Sequence, residues 1–234
     1  MKSKIVLSVF FALLVAFCFV YLWNTPQGVP IGYSRDDYHA PCSPESLYLQ
    51  IKNYEMASRL IAEIEKKGWI LVCAESVSGG NMGVSLSRAK GAGSCFAGSA
   101  VCYKVEAKRK LLDVPDEKED DLYDLQTARD MALGSQNLYR ISLEKKVSPQ
   151  ESYYNKPIVS LSTTGRAVTY KDKWEGGVYA GLAFPDGKAI SQYFPHTFIN
   201  TKGEEDQART KEEGMLVAAY KAMQYALKEI QEHQ

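Results

Sequence analysis

The residues best placed to do chemistry lie in one short run, Glu75-Ser76-Val77-Ser78-Gly79-Gly80, directly after the apolar stretch Trp69 to Ala74. That stretch is short and rich in β-formers, so it reads as a buried strand. The Ser76 hydroxyl then falls at the carboxyl end of the strand, the edge where open α/β sheets bind ligands. Gly79 and Gly80 let the backbone approach a ligand closely, and the free N–H groups of a following helix favour an anion, either a phosphate or the oxyanion of an attacked carbonyl. The same residues also suit a plain strand-to-helix turn capped by Ser78. His39, His196 and His233 are scattered along the chain, and no Ser-His-Asp set is evident. A serine without a histidine needs another base, and a lysine can serve when burial and neighbouring positive charge lower its pKa towards neutrality.

The elements that must hold this turn follow from spacing. Ser43-Pro44 starts a helix, with a hydroxyl to cap and a proline at the first position, and Leu47, Ile51, Tyr54, Ile61 and Ile64 keep helical register until Gly68. Asn81 to Lys90 is a second helix, broken at Gly91-Ala92-Gly93. Cys95 to Tyr103 reads as a strand, Glu106 to Leu112 as a short helix ended by Pro115, and Asp120 to Leu143 as a long one. Ile158 to Ser162 is a third strand, and Gly177 to Phe184 and Ala189 to Phe194 flank Pro185-Asp186-Gly187, a hairpin turn. A last helix carries Met215, Ala218, Ala219, Ala222, Met223, Ala226, Leu227 and Ile230 on one face. Strands alternating with helices predict a three-layer α/β/α sandwich around a mixed, mostly parallel sheet.

The 234 residues carry 28 basic and 28 acidic side chains and are 45% apolar, which fits one globular domain with an appendage. With no Lys/Arg block and no acidic tail, the balance excludes a nucleic-acid binder driven by bulk charge. Of the five cysteines, Cys73, Cys95 and Cys102 lie on or beside strands without C-x-x-C spacing or a nearby histidine, so no metal is expected. A disulfide between Cys73 and Cys102, or one using Cys95, is an option outside the cytoplasm, while burial as free thiols is the simpler reading. The appendage is Ile5 to Trp23, where Ser8 is the only polar residue. As a helix it would measure roughly 28 Å, enough to span a bilayer. Tyr21-Leu22-Trp23 before Asn24-Thr25-Pro26 lacks the small residues of a cleavage site, so an uncleaved transmembrane anchor over 1–23 is preferred to a secreted protein with a cleaved signal. Lys2 and Lys4 favour a cytoplasmic amino end, leaving a linker over 24–45 and a domain over 46–234 outside the cytoplasm, periplasmic in a bacterium.

Four segments in order resemble the carboxy-terminal domain of the CinA family, the nicotinamide mononucleotide amidohydrolases (pyridine nucleotide deamidases). They are Ala74 to Gly80 for the family's A-E-S-C-T-G-G turn, Gly93-Ser94-Cys95 for G-x-S, Tyr103 to Lys108 for Y-S-N-x-x-K, and Asp113-Val114-Pro115 for G-V-P. Ala128 to Ala132, Ser162 to Gly165 and Gly176 to Tyr179 continue the likeness, which covers roughly residues 47 to 230. The resemblance implies a Ser/Lys amidohydrolase that converts nicotinamide mononucleotide to nicotinic acid mononucleotide and ammonia, with no cofactor. It makes Ser76 the nucleophile, Lys108 its base and Tyr103 a hydroxyl that positions one of them. The implied substrate contacts are Glu75, Ser78, the Gly79 and Gly80 amides, Thr164, Gly165 and, before the last helix, Arg209. Related domains also tend to self-associate, which implies a homo-oligomer. Two features depart from the family: Thr164 to Tyr170 replaces a glycine-proline loop with a bulkier, more basic one, and Lys104-Val105 follows Tyr103 in place of serine and asparagine.

Two other readings stand beside this one. A retained fold could act as a membrane-anchored, catalytically inactive binding or interaction module. Alternatively, Ser87-Arg88-Ala89-Lys90 fits S-x-x-K and weakly echoes the penicillin-recognising enzymes, although Ser87 falls well inside a helix and Thr163 stands where a lysine is required.

Overall fold

A computed structural model describes residues 43–115, 122–144, 156–168 and 176–233. Helix α1 (Pro44–Lys67) begins where Ser43 accepts the Ser46 N–H and ends where Gly68 turns left-handed at φ 70°. Strand β1 (Ile70–Glu75), helix α2 (Asn81–Arg88), a single helical turn α3 (Ala92–Cys95), strand β2 (Phe96–Val101) and helix α4 (Val105–Leu112) follow. Helix α5 (Leu125–Glu144) opens with Asp124 accepting the Thr127 N–H at 2.7 Å. Strands β3 (Ile158–Arg166), β4 (Gly177–Ala183) and β5 (Ala189–Pro195), a small hairpin of β6 (Thr197–Ile199) and β7 (Glu205–Gln207), and helix α6 (Lys211–Glu232) complete the domain.

The main sheet runs β2-β1-β3-β4-β5. On one face α1, α2 and α6 bury Leu71, Cys73, Val159, Leu161, Ala180 and Leu182. On the other, α4 and α5 pack over Ala74, with Leu112, Val114, Leu122 and Met131 between them. This is the three-layer arrangement, but the expected fold is corrected on two counts. Only β1–β2 and β1–β3 are parallel, whereas β3–β4 and β4–β5 are antiparallel, so the sheet is evenly mixed instead of mostly parallel. The tight Pro185-Asp186-Gly187 reversal accounts for the β4–β5 pair, since it can join only antiparallel neighbours. The transmembrane helix is withdrawn as well: no helix among the described residues is long and apolar enough to cross a membrane, and Ile5 to Trp23 lies outside those residues.

The contact between α5 and the sheet is polar. Ser160 meets the Ser135 hydroxyl, Ser162 donates to the Ala128 carbonyl at 2.5 Å, and Gln136 bonds the carbonyls of Ile158, Ala183 and Phe184. Each buried hydroxyl finds a helix or strand partner, so the seam avoids the desolvation cost of an unpaired group. It also lets α5 approach closely, because a Cβ on Gly181 would stand 2.1 Å from the Ala128 carbonyl oxygen. Cys73, Cys95 and Cys102 are buried free thiols, and burial raises the pKa of each.

Candidate active site

Ser76 leaves β1 at the carboxyl end of the parallel strands, its N–H donating to the Thr163 carbonyl at 2.9 Å. Because Glu75 pairs with Thr163, the next register position sets Ser76 beside Thr164, roughly one strand spacing of about 4.8 Å away. Alternation along β1 and β3 then divides the neighbours. Glu75, Ser78 and Thr163 gather on the α2 side, with the Ser78 hydroxyl 2.8 Å from Glu75 Oε2 and 2.7 Å from Thr163 Oγ1. On the opposite side, Thr164 accepts from Lys108 Nζ at 3.0 Å and donates to the Leu122 carbonyl at 2.8 Å.

Lys108 comes from the middle of α4 and is 1% exposed. Its ammonium also sits 5.1 Å from the ring centroid of Tyr123. Tyr123 follows Leu122, a non-glycine residue held at φ 55°, so the local backbone is strained where it turns Tyr123 towards the lysine. A cavity of about 380 Å³ opens here, and its wall includes Ser76, Val77, Tyr103, Tyr123, Gly165, Arg166 and Lys211. That is the scale of a small-molecule site. Arg166 lies 4.9 Å over the Tyr123 ring and Lys211 lies 5.5 Å over the Tyr103 ring, so two basic groups and two aromatic faces share the wall. No carboxylate lines it among the described residues.

Glu75 does not reach this cavity. It is fully buried and accepts five hydrogen bonds, from the Ser78 and Ser99 hydroxyls and from the amides of Gly80, Met82 and Gly83, at 2.6 to 3.1 Å. The positive end of α2 is therefore neutralised from inside the protein, and the turn that carries Ser76 is fixed by it. Gly79 N–H donates to the Ser76 carbonyl and Gly80 N–H to Glu75, so both amides expected to face an oxyanion are engaged within the turn. The amide of Val77, next to Ser76 on the cavity wall, makes no hydrogen bond among the described residues.

The structure brings Ser76, Tyr103 and Gly165 to the cavity and sets Thr164 and Lys108 directly behind it. It leaves Glu75 and Ser78 on the α2 side, and Arg209 on the surface, paired with Asp206 at 3.1 Å and 78% exposed. The Tyr103 hydroxyl bonds neither Ser76 nor Lys108; its ring faces Lys211. Tyr123, Arg166 and Lys211 are wall residues that spacing alone did not single out. Lys211 was the most nearly legible, as a cation in the first turn of a helix whose dipole disfavours it there.

A serine on the cavity wall, with a buried lysine behind it, thus stands at the carboxyl edge of a three-layer mixed α/β fold. Residues 53–143 match the profile of the CinA C-terminal domain. The matched stretch includes Ala74 to Gly80, Tyr103 to Lys108 and Asp113 to Pro115, and over it this chain is similar to that family. A putative competence-damage inducible protein of Bacillus cereus is 28% identical over 159 residues, 65% of this chain and 33% of that protein. A Bacillus anthracis protein of the same name is equally similar over the same shares. The chain thus spans about a third of the length of these curated relatives. Among solved structures, a CinA superfamily protein from Klebsiella pneumoniae 700603 superposes with a TM-score of 0.61 at 19% identity, over 77% of this chain and 99% of that one. The competence/damage inducible protein CihA from Agrobacterium tumefaciens gives 0.56 at 22%, over 76% and 96%. These two likenesses concern the fold.

Proposed function

We propose that the domain is a serine amidohydrolase that acts on a nucleotide-like carboxamide, with nicotinamide mononucleotide as the first substrate to test. The observation that carries this reading is Ser76 on the cavity wall with the buried Lys108 ammonium one residue behind it on Thr164. In the reaction Lys108 first gives the extra proton of its ammonium to solvent; the Ser76 oxygen then bonds to the carboxamide carbon as its own proton passes to the Lys108 amine. The tetrahedral oxyanion takes the Val77 N–H, the amide next to the nucleophile. Collapse breaks the C–N bond, and Lys108 returns the proton to the departing ammonia. Water then cleaves the acyl-serine by the same route in reverse. The tyrosine rings offer faces to a heteroaromatic ring, and Arg166 and Lys211 offer charge to a phosphate.

The test is ammonia release from nicotinamide mononucleotide by the full chain and by Ser76→Ala. Loss of the nucleophile is expected to lower kcat by about 10³-fold or more. Release that does not depend on Ser76 would remove the reading. A second reading, a binding module that no longer turns over, is favoured by one feature: the Tyr103 hydroxyl is joined to neither Ser76 nor Lys108. Binding of the nucleotide without turnover would select it.

A further inference from the structure

We infer that His196 is a positioning residue for this cavity, holding the Arg166-Ala167 strip at a set spacing from the first turn of α6. The inference rests on the amidohydrolase reading only for its kinetic readout.

His196 follows β5 and is 1% exposed. Its Nε2 lies 2.8 Å from the Arg166 carbonyl oxygen. A carbonyl only accepts, so Nε2 carries the ring proton. The main-chain carbonyl of His196 accepts the Ala208 N–H at 2.9 Å, on the segment that leads from β7 into α6. The next carbonyl of the strip, that of Ala167, rests on α6 itself: a Cβ on Gly214 would stand 1.7 Å from its oxygen. Two successive carbonyls are therefore fixed, one bonded from the β5 side and one packed on the helix that presents Lys211. Arg166 begins the strip and Lys211 lies three residues before Gly214, so Arg166 is referenced to the imidazole directly and Lys211 through the strip and the main chain of the same histidine.

The other ring nitrogen supports this role. His196 Nδ1 is buried with no hydrogen-bond partner among the described residues. An orphaned acceptor of this kind costs about 1–3 kcal/mol, which an apolar side chain of similar size would avoid. Stability alone thus gives no reason for an imidazole here, whereas its donor to Arg166 does. Burial also pushes the ring pKa down to about 4, so at neutral pH it stays uncharged and keeps a single proton for that bond.

The experiment compares the full chain with His196→Leu and with His196→Gln, which retains a terminal N–H donor. Hydrogen exchange is followed on peptides covering 165–168 and 208–214. The leucine variant is expected to exchange about tenfold faster in both segments, and glutamine to restore protection. With nicotinamide mononucleotide, leucine raises KM about tenfold while kcat stays within about twofold, and glutamine recovers most of the loss. Wild-type exchange rates in a folded leucine variant would overturn the proposal. Should that variant not fold, the nitrogen NMR shifts of His196 in the unaltered protein decide: a proton on Nε2 supports the role and a proton on Nδ1 overturns it. A chain that releases no ammonia sinks the amidohydrolase reading alone, because exchange is still measured.

Discussion

Thr164 links the two residues on which the proposed chemistry depends, since it neighbours Ser76 in register and accepts a hydrogen bond from Lys108 Nζ at 3.0 Å. Thr164→Val keeps the shape and removes the acceptor, leaving a buried ammonium one partner short. Denaturant titration should show a loss of about 2 kcal/mol, and kcat should fall further than KM rises. Glu75 acts on the same turn from the opposite side of the sheet. Glu75→Gln keeps the volume but replaces two charged acceptors with one neutral acceptor and an unwanted donor facing the amides of Gly80, Met82 and Gly83. A destabilisation of about 3 kcal/mol, read as a lower Tm, is expected. At this scale Ser76 and Lys108 were legible because motif spacing carries them. Tyr123 was not, since the Leu122 backbone at φ 55° aims it and no periodicity encodes that. The resemblance singled out Arg209 before the last helix; it lies on the surface paired with Asp206, and Lys211 is the cation of that region on the cavity wall.

Ala167, just past β3, reaches its position only because a glycine stands where it meets α6. Gly214→Ala would place a Cβ 1.7 Å from the Ala167 carbonyl oxygen, a contact with main chain that no rotamer can relieve. Thermal unfolding should report a loss of about 2 kcal/mol or more, with the cavity wall displaced along with it. Strand β3 also shows where reading by pattern ran short. Apolar spacing ended it at Ser162, yet it continues through Thr163, Thr164 and Gly165 to Arg166. Those hydroxyls are buried and bonded to the Ser76 turn, to Lys108 on α4 and to the Leu122 carbonyl ahead of α5, so polarity there marks a close polar packing surface, not a loop. The β6–β7 hairpin went unread for a different reason: its strands are three residues each, too short to show alternation. The longer elements, α1 and α6 above all, were legible because a cap, a period and a stop agree along them.

For the domain as a whole, His196 sets a pH dependence of stability. Its pKa in the folded protein is about 4, against an ordinary 6.5, because burial disfavours the imidazolium more than the Arg166 carbonyl favours it. Between those values the unfolded chain binds the extra proton and the folded one does not. The contribution is fully present above about pH 6.5 and is lost as pH falls towards 4, to the extent of about 3 kcal/mol. Chemical denaturation at pH 7 and pH 4.5 measures it, and His196→Gln should flatten the difference. The two helix starts give the domain one more collective property. Ser43 donates to Glu213 Oε1 and Ser46 to Glu212 Oε2, both at 3.2 Å, so the point where the chain enters the domain is fastened to the first turn of α6. A pull on the backbone ahead of Ser43 would load that turn before it loads the sheet. The basic wall at Lys211 lies in the same turn, so mechanical tension arriving at the entry would be felt at the cavity first.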